Sequence, residues 1–190
     1  MAALRDGDPD AATALYVRLR PVVARTVGRL LGYGDRDGED LGQAAMIELI
    51  STIDRYRGDC SLDSWAQTLT AHLVYKHIRR RQTERRLFDG IALDELSVPS
   101  REGGAEQQNQ GRELLTRIKR HLDHIDEAKA WTFVLHDVLG YDLREVARIT
   151  ESSVAAAQSR LVRGRRELHE RIGADPELAA RLVAAKGGDA

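Results

Sequence analysis

From Leu87 to Gln110 the chain reads LFDGIALDELSVPSREGGAEQQNQ, with no sustained helical period. Asp89, Asp94, Glu95, Glu102 and Glu106 against Arg101 leave it acidic by four. A structureless stretch this long is uncommon inside one compact core, so it predicts a flexible acidic linker between two domains. Residues 1–86 and 111–172 must then bury separate apolar faces, with 173–190 as a short tail. Apolar residues on both sides recur at helical spacing, and no strand-like alternation is present. The expected fold class is all-α, two small helical domains of three and four helices.

Asp8-Pro9 marks a helix start, a capping carboxylate followed by proline at the first helical position. Leu15, Leu19, Val22, Val23, Val27 and Leu30 give that helix its core face, and Pro21 predicts a kink or weak turn within it. It ends near Gly32-Tyr33-Gly34. A second helix starts in the acidic 35–40 stretch, with Met46, Leu49, Ile50 and Ile53 inward and Asp40, Gln43 and Glu48 opposite. Asp54–Cys60 reads as a loop. Ser61 caps a third helix with Leu62, Trp65, Ala66, Leu69 and Leu73 inward. Beyond the linker, Leu115, Ile118, Leu122 and Ile125 form one face. Trp131, Val134, Leu135, Val138 and Leu139 form another, stopped by Gly140 as a helix C-cap. A short helix is expected from Pro176 to Ala185.

Two stretches carry chemistry. Between Asp142 and Arg166 the pattern is a helix-turn-helix. Asp142 is an N-cap, Val146 and Ile149 are apolar, and Ala147 is small where two helices cross. Thr150-Glu151-Ser152 breaks the chain, and Ser152 or Ser153 caps a helix with Val154, Ala157, Leu161 and Leu168 on one side. Arg160, Arg163, Arg165 and Arg166 give that second helix the charge needed to lie in a DNA major groove against phosphates. The same pattern also suits two amphipathic helices with a solvated basic face. The third helix ends in KHIRRRQTERR. From Ser61 to Arg86 six cations (Lys76, Arg79, Arg80, Arg81, Arg85, Arg86) outweigh Asp63 and Glu84, an excess of four. Such a block attracts phosphate although the whole chain carries a net charge of only -1.

Other classes find little support. His121 and His124 lie three apart on a helix, but no further His or Cys at metal-ligand spacing stands near them, and two surface histidines are the expected account. No catalytic set, metal site, phosphate loop or cofactor motif is present, and an enzyme is not expected. The single cysteine, Cys60, permits no internal disulfide. With no signal peptide and no run approaching a membrane span, a cytoplasmic protein without membrane insertion is expected.

Six fragments together resemble a known family. They are LYVRLRP (Leu15–Pro21), GEDLGQ (Gly38–Gln43), YRGDCSLDSW (Tyr56–Trp65) and IRRR (Ile78–Arg81), then YDLREVARI (Tyr141–Ile149) and QSRLVRGRREL (Gln158–Leu168). In this order they are similar to regions two and four of bacterial RNA polymerase sigma factors of the extracytoplasmic-function (ECF) type, over about residues 9–172. The resemblance implies that Glu39, Asp40, Leu41 and Gln43 dock on core RNA polymerase. It implies that Tyr56, Arg57, Ser61, Trp65, His72, Lys76, Arg79, Arg80, Arg81 and Arg85 engage the opened minus-ten promoter element. Ser153, Ala155, Ala156, Gln158, Ser159, Arg160 and Arg163 would read the minus-thirty-five element as duplex. Core polymerase, promoter DNA and an anti-sigma factor are the implied partners. The chain departs from the family pattern at His72 and Lys76, where Asn and Asp are common, and at Tyr56, commonly Phe. Glu151 replaces a turn glycine, and Ala155-Ala156-Ala157 replaces Gly-Thr-Val. A free-standing helix-turn-helix regulator and a sigma-like decoy are the alternatives. The first should bind duplex operator unaided, commonly as a dimer. No dimer seam is evident.

Overall fold

The computed structural model describes residues 8–81 and 105–180, with side chains of the second stretch from residue 113 onward. Helices up to residue 81 form one compact unit and those from Ala105 form another. All regular structure among the described residues is helical.

The first unit has three long helices: α1 (Pro9–Leu31), α2 (Gly38–Ser51) and α3 (Leu62–Arg81). Asp8 caps α1 by accepting from the Asp10 amide at 2.9 Å, with Pro9 next, as the sequence predicts. The helical assignment runs through Pro21 without interruption. Proline frees the carbonyl of Val17, a residue on the exposed side of the helix. Water can satisfy that carbonyl, which accounts for the tolerated proline. Leu15, Leu19, Val22, Val23, Val27 and Leu30 are buried as expected, against Ala45, Met46 and Leu49 of α2 and Ala66, Ala71 and Val74 of α3.

Two faces differ from the apolar pattern. On α3 the fully covered residues are Ala66, Thr70, Ala71 and Val74, whereas Leu62, Trp65, Leu69 and Leu73 are only partly covered. The long packing seam with α1 places small side chains at the contact and leaves the leucines at its edges. On α2, Ile53 is buried in the short 3-10 turn that follows, but Ile50 is 40% exposed.

The second unit contains α4 (Ala105–Leu122), α5 (Glu127–Phe133) continued by a π-turn over Val134–Val138, α6 (Leu143–Ile149) and α7 (Val154–Ala174). The helix α4 begins inside the stretch read as linker. Its first turns are built from Ala, Glu and Gln, which favour helix without adding an apolar period. The remainder of the predicted linker, 87–104, lies outside the described residues. Trp131, Val134, Leu135, Ile149 and Leu161 are fully buried in this unit's core. Gly140 takes φ +78° after the π-turn, as a glycine C-cap should. At Gly164 a Cβ would lie 3.1 Å from the Lys129 carbonyl oxygen, so glycine permits the close approach of α7 to α5.

The predicted tail begins as part of this core. Asp175 accepts from the amides of Glu177 and Leu178, opening a helical turn over 176–180 that buries Leu178. Its carboxylate also pairs with His121 at 3.1 Å and Arg117 at 3.6 Å. His121 is therefore half of a tie between α4 and the end of α7, while His124 bonds the Arg120 carbonyl. The His121 hydrogen bond, then the Leu178 amide, hold the Asp175 carboxyl below its ordinary range. The tail beyond residue 180 is outside the described residues.

Candidate nucleic-acid interface

The helix-turn-helix rests on α6 and α7. Asp142 and Glu145 form a reciprocal capping box: Glu145 N–H donates to Asp142 at 2.8 Å and Asp142 N–H donates to Glu145 at 2.9 Å. Ser153, not Ser152, caps α7 by accepting from the Ala156 amide. Ser152 instead bonds the Thr150 hydroxyl inside the turn. Between them Glu151 takes φ +51°, the left-handed conformation that a glycine would adopt without strain. Glu151→Gly is expected to stabilise this unit by about 0.5–1 kcal/mol, read as a raised unfolding midpoint.

The solvent face of α7 carries Ala155, Gln158, Ser159, Val162, Arg163 and Arg166. Arg160 and Ala156 are half-buried at its border, and Val154, expected inward, is 46% exposed. Arg163 donates to the Ser159 carbonyl at 3.2 Å and to its hydroxyl at 2.7 Å, which lays the guanidinium along the helix. Ala155 offers only a methyl group to a base edge, suited to apolar contact. Arg165 belongs to the fold: it donates to both Asp137 oxygens, at 2.7 and 2.5 Å, tying α7 to the π-turn. That bond, reinforced by His136, holds the Asp137 carboxyl below the usual range despite partial burial. A depressed carboxyl contributes stability above its ordinary pKa and loses it as pH falls towards the folded value. Asp137→Asn should therefore lower the unfolding midpoint at neutral pH and narrow its difference from wild type on acidification, as thermal melts across that range can test.

In the first unit, Tyr56 and Trp65 meet with ring centroids 5.5 Å apart and planes tilted by 50°. The Tyr56 hydroxyl donates to the Cys60 carbonyl at 2.6 Å, closing the loop over Trp65, with Gly58 at φ +82° to make the bend. Ser61 caps α3 at 3.1 Å, and Arg57 in the loop is exposed. Trp65, His72, Lys76 and Arg79 or Arg80 follow at seven, four and three or four residues, one helical face. An aromatic pair thus lies at one end and exposed cations at the other, with the Arg79 guanidinium 5.7 Å over the Tyr75 ring. Arg81, grouped with these cations in the sequence, is instead held by Asp35 and Asp37. Arg85 is outside the described residues.

On α2, Glu39, Asp40 and Gln43 are exposed and Leu41 is half-buried. The same side continues through Ala44 to Ile47, 68% exposed, and Ile50. The apolar period concealed Ile47 and assigned Ile50 to the core. Ile47 and Ile50 thus add apolar surface to the exposed side of α2 that begins with Glu39 and Asp40.

Residues 15–84 match the family model for Sigma-70 region 2, and residues 115–168 match that for Sigma-70, region 4. The RNA polymerase sigma factor CarQ of Myxococcus xanthus is 27% identical over 176 residues, covering 91% of this chain and 95% of that protein. The ECF RNA polymerase sigma-E factor of Salmonella typhimurium is 25% identical over 180 residues, covering 89% and 90%. Among solved structures, CnrH in complex with the cytosolic domain of CnrY shares the fold with a TM-score of 0.54 at 21% identity, covering 92% of this chain and 95% of that one. The sigma factor RpoE in complex with the anti-sigma factor NepR, from Bartonella quintana, gives 0.50 at 20%, covering 86% and 97%.

Proposed function

Because this chain belongs to the extracytoplasmic-function group of RNA polymerase sigma factors, we propose that its two units divide promoter recognition between them. The exposed side of α2, with Glu39, Asp40, Gln43 and Ile47, docks on bacterial core polymerase. The loop from Tyr56 and the outer face of α3 capture the unpaired minus-ten strand. Tyr56 and Trp65 offer ring surface, and Arg79 and Arg80 offer charge. No nucleotide is consumed, since trapping bases that have left the stack offsets an unstacking cost of a few kcal/mol. The helix α7 lies against the minus-thirty-five duplex, with Ala155 and Gln158 towards bases and Arg160 and Arg163 towards phosphates. Ala155 and the half-buried Ala156 provide few base-edge hydrogen bonds, so DNA shape and phosphate contacts carry much of that readout.

The observation carrying this reading is that both regions match in the family's order and that each unit presents its own polar, cation-bearing face. An anti-sigma factor is part of the proposal, supported by the NepR-bound likeness. The place of action is the cytoplasm, where polymerase works, and no described helix is long and apolar enough to cross a membrane.

The test is reconstitution with sigma-free core polymerase and mapping of transcript starts on genomic fragments. Discrete starts sharing two upstream motifs are expected. A complex without starts would point to a decoy, and duplex binding by the chain alone without a complex would point to a free-standing regulator.

A further inference from the structure

The loop between α1 and α2 carries Asp35, Arg36 and Asp37, immediately before the proposed docking helix. Asp37 occupies the N-cap position of α2, yet its side chain makes no capping bond there. One carboxylate oxygen lies 3.1 Å from His77 Nε2 and 3.2 Å from an Arg81 guanidinium nitrogen. That same nitrogen donates to both Asp35 oxygens, at 3.1 and 3.0 Å. Asp35 also accepts from the Asp37 amide at 3.0 Å, which fixes the loop itself. Arg36 reaches Asp37 only from solvent, at 3.4 Å. The side chains of Asp35, Arg81, Asp37 and His77 are 16, 22, 28 and 28% exposed, so the cluster is sheltered where a surface ion pair is not. Arg79 and Arg80, on the same final turn of α3, are exposed.

We propose that Asp35 and Asp37 are positioning residues: they hold Arg81 and His77 as internal tethers and so leave the phosphate contact at this end of α3 to Arg80. The proposal rests on the reading of α3 as a strand-binding helix and deepens it. The Asp37 side chain makes this tie and no capping bond, and the tie joins the start of α2 to the end of α3. A phosphate approaching Arg81 would have to displace two carboxylates that are already in place. Arg80 and Arg81 therefore differ in role, and the charge count of the block overstates its phosphate contacts.

Salt dependence separates the roles. Each phosphate contact on a single strand adds about 0.7 to the slope of log affinity against log salt. The full chain is titrated with a short mixed-sequence single-stranded oligonucleotide, because phosphate contacts do not depend on sequence. Arg80→Ala should flatten the slope by about 0.7, and Arg81→Ala should leave it unchanged. The double variant Asp35→Asn, Asp37→Asn should steepen it by about 0.7, because the released Arg81 becomes a further contact. A general loss of folding would not produce that steepening. Flattening by Arg81→Ala, or no change in the double variant, overturns the proposal.

Unfolding supplies a measurement independent of DNA. Arg81→Gln should lower the unfolding midpoint in the wild-type background and leave it in place in the double-Asn background. Equal shifts in both backgrounds overturn the tether. If wild type holds no oligonucleotide at low salt, or Arg80→Ala leaves the slope intact, the strand-binding reading fails, and the unfolding comparison still decides the tether.

Discussion

Trp131→Ala is expected to unfold much of the second unit at moderate temperature. Trp131 is fully buried, the largest such side chain in the structure, and Leu135, Ile149 and Leu161 are covered in the same core. Emptying a site of that size costs about 3–5 kcal/mol, from a total stability for a domain of about 5–15 kcal/mol. For a unit of this size each kcal/mol shifts the midpoint by about 4–8 °C, so the upper estimate of the loss approaches the whole stability. Calorimetry of the full chain should show the second unit melting far earlier while the first keeps its transition. Circular dichroism serves better than fluorescence, because only two tryptophans are present and the substitution removes one. A midpoint shift of a few degrees would mean that this core is not organised around Trp131.

Asp40→Arg is the functional counterpart. Asp40 lies in the first turn of α2, exposed, with Glu39 beside it and Ile47 further along the same side. Such a face, acidic at its start and apolar further along, fits a partner bearing cations beside an apolar patch. Reversing one charge places like charges together at a cost of several kcal/mol, which corresponds to at least about a hundredfold loss of polymerase affinity. The fold should lose only about 0.3–1 kcal/mol, from the favourable pairing of a carboxylate with the helix N-terminus. Affinity for core polymerase and thermal stability of the free chain, measured side by side, separate the two effects. Unchanged polymerase affinity would remove α2 as the docking surface.

Residues whose signals were local were legible in the sequence. Asp8, Ser61 and Asp142 cap their helices with their own side chains, and of the two serines that the sequence offered for α7 it is Ser153 that caps. Gly140 takes the positive φ expected of it. A cap needs only a short polar side chain two or three residues from a free amide, so spacing along the chain is sufficient information. The helix-turn-helix was legible for the same reason, whereas the strain at Glu151 followed from the family resemblance, which places a glycine at that turn position.

Residues whose neighbours are distant in sequence were misjudged. Leu69 and Leu73 satisfy a helical period, but the packing seam on α3 favours Ala66, Thr70 and Ala71. Ile50 satisfies the helical period and reads as core, and Ile47 goes unmarked by it, yet the direction from which α1 and α3 cover α2 leaves both in solvent. Arg81 and Arg165 were counted with the other cations, but each lies beside carboxylates far away in the chain.

By itself the sequence determined the helical class, the division into two units, most helix ends and the family, because periodicity, capping and motif order are properties of nearby residues. Tertiary structure alone decided which apolar residues remain exposed on α2 and which arginines of each basic cluster are tied down. Burial and ion pairing depend on what another helix brings within a few ångströms, and no spacing along one helix contains that distance.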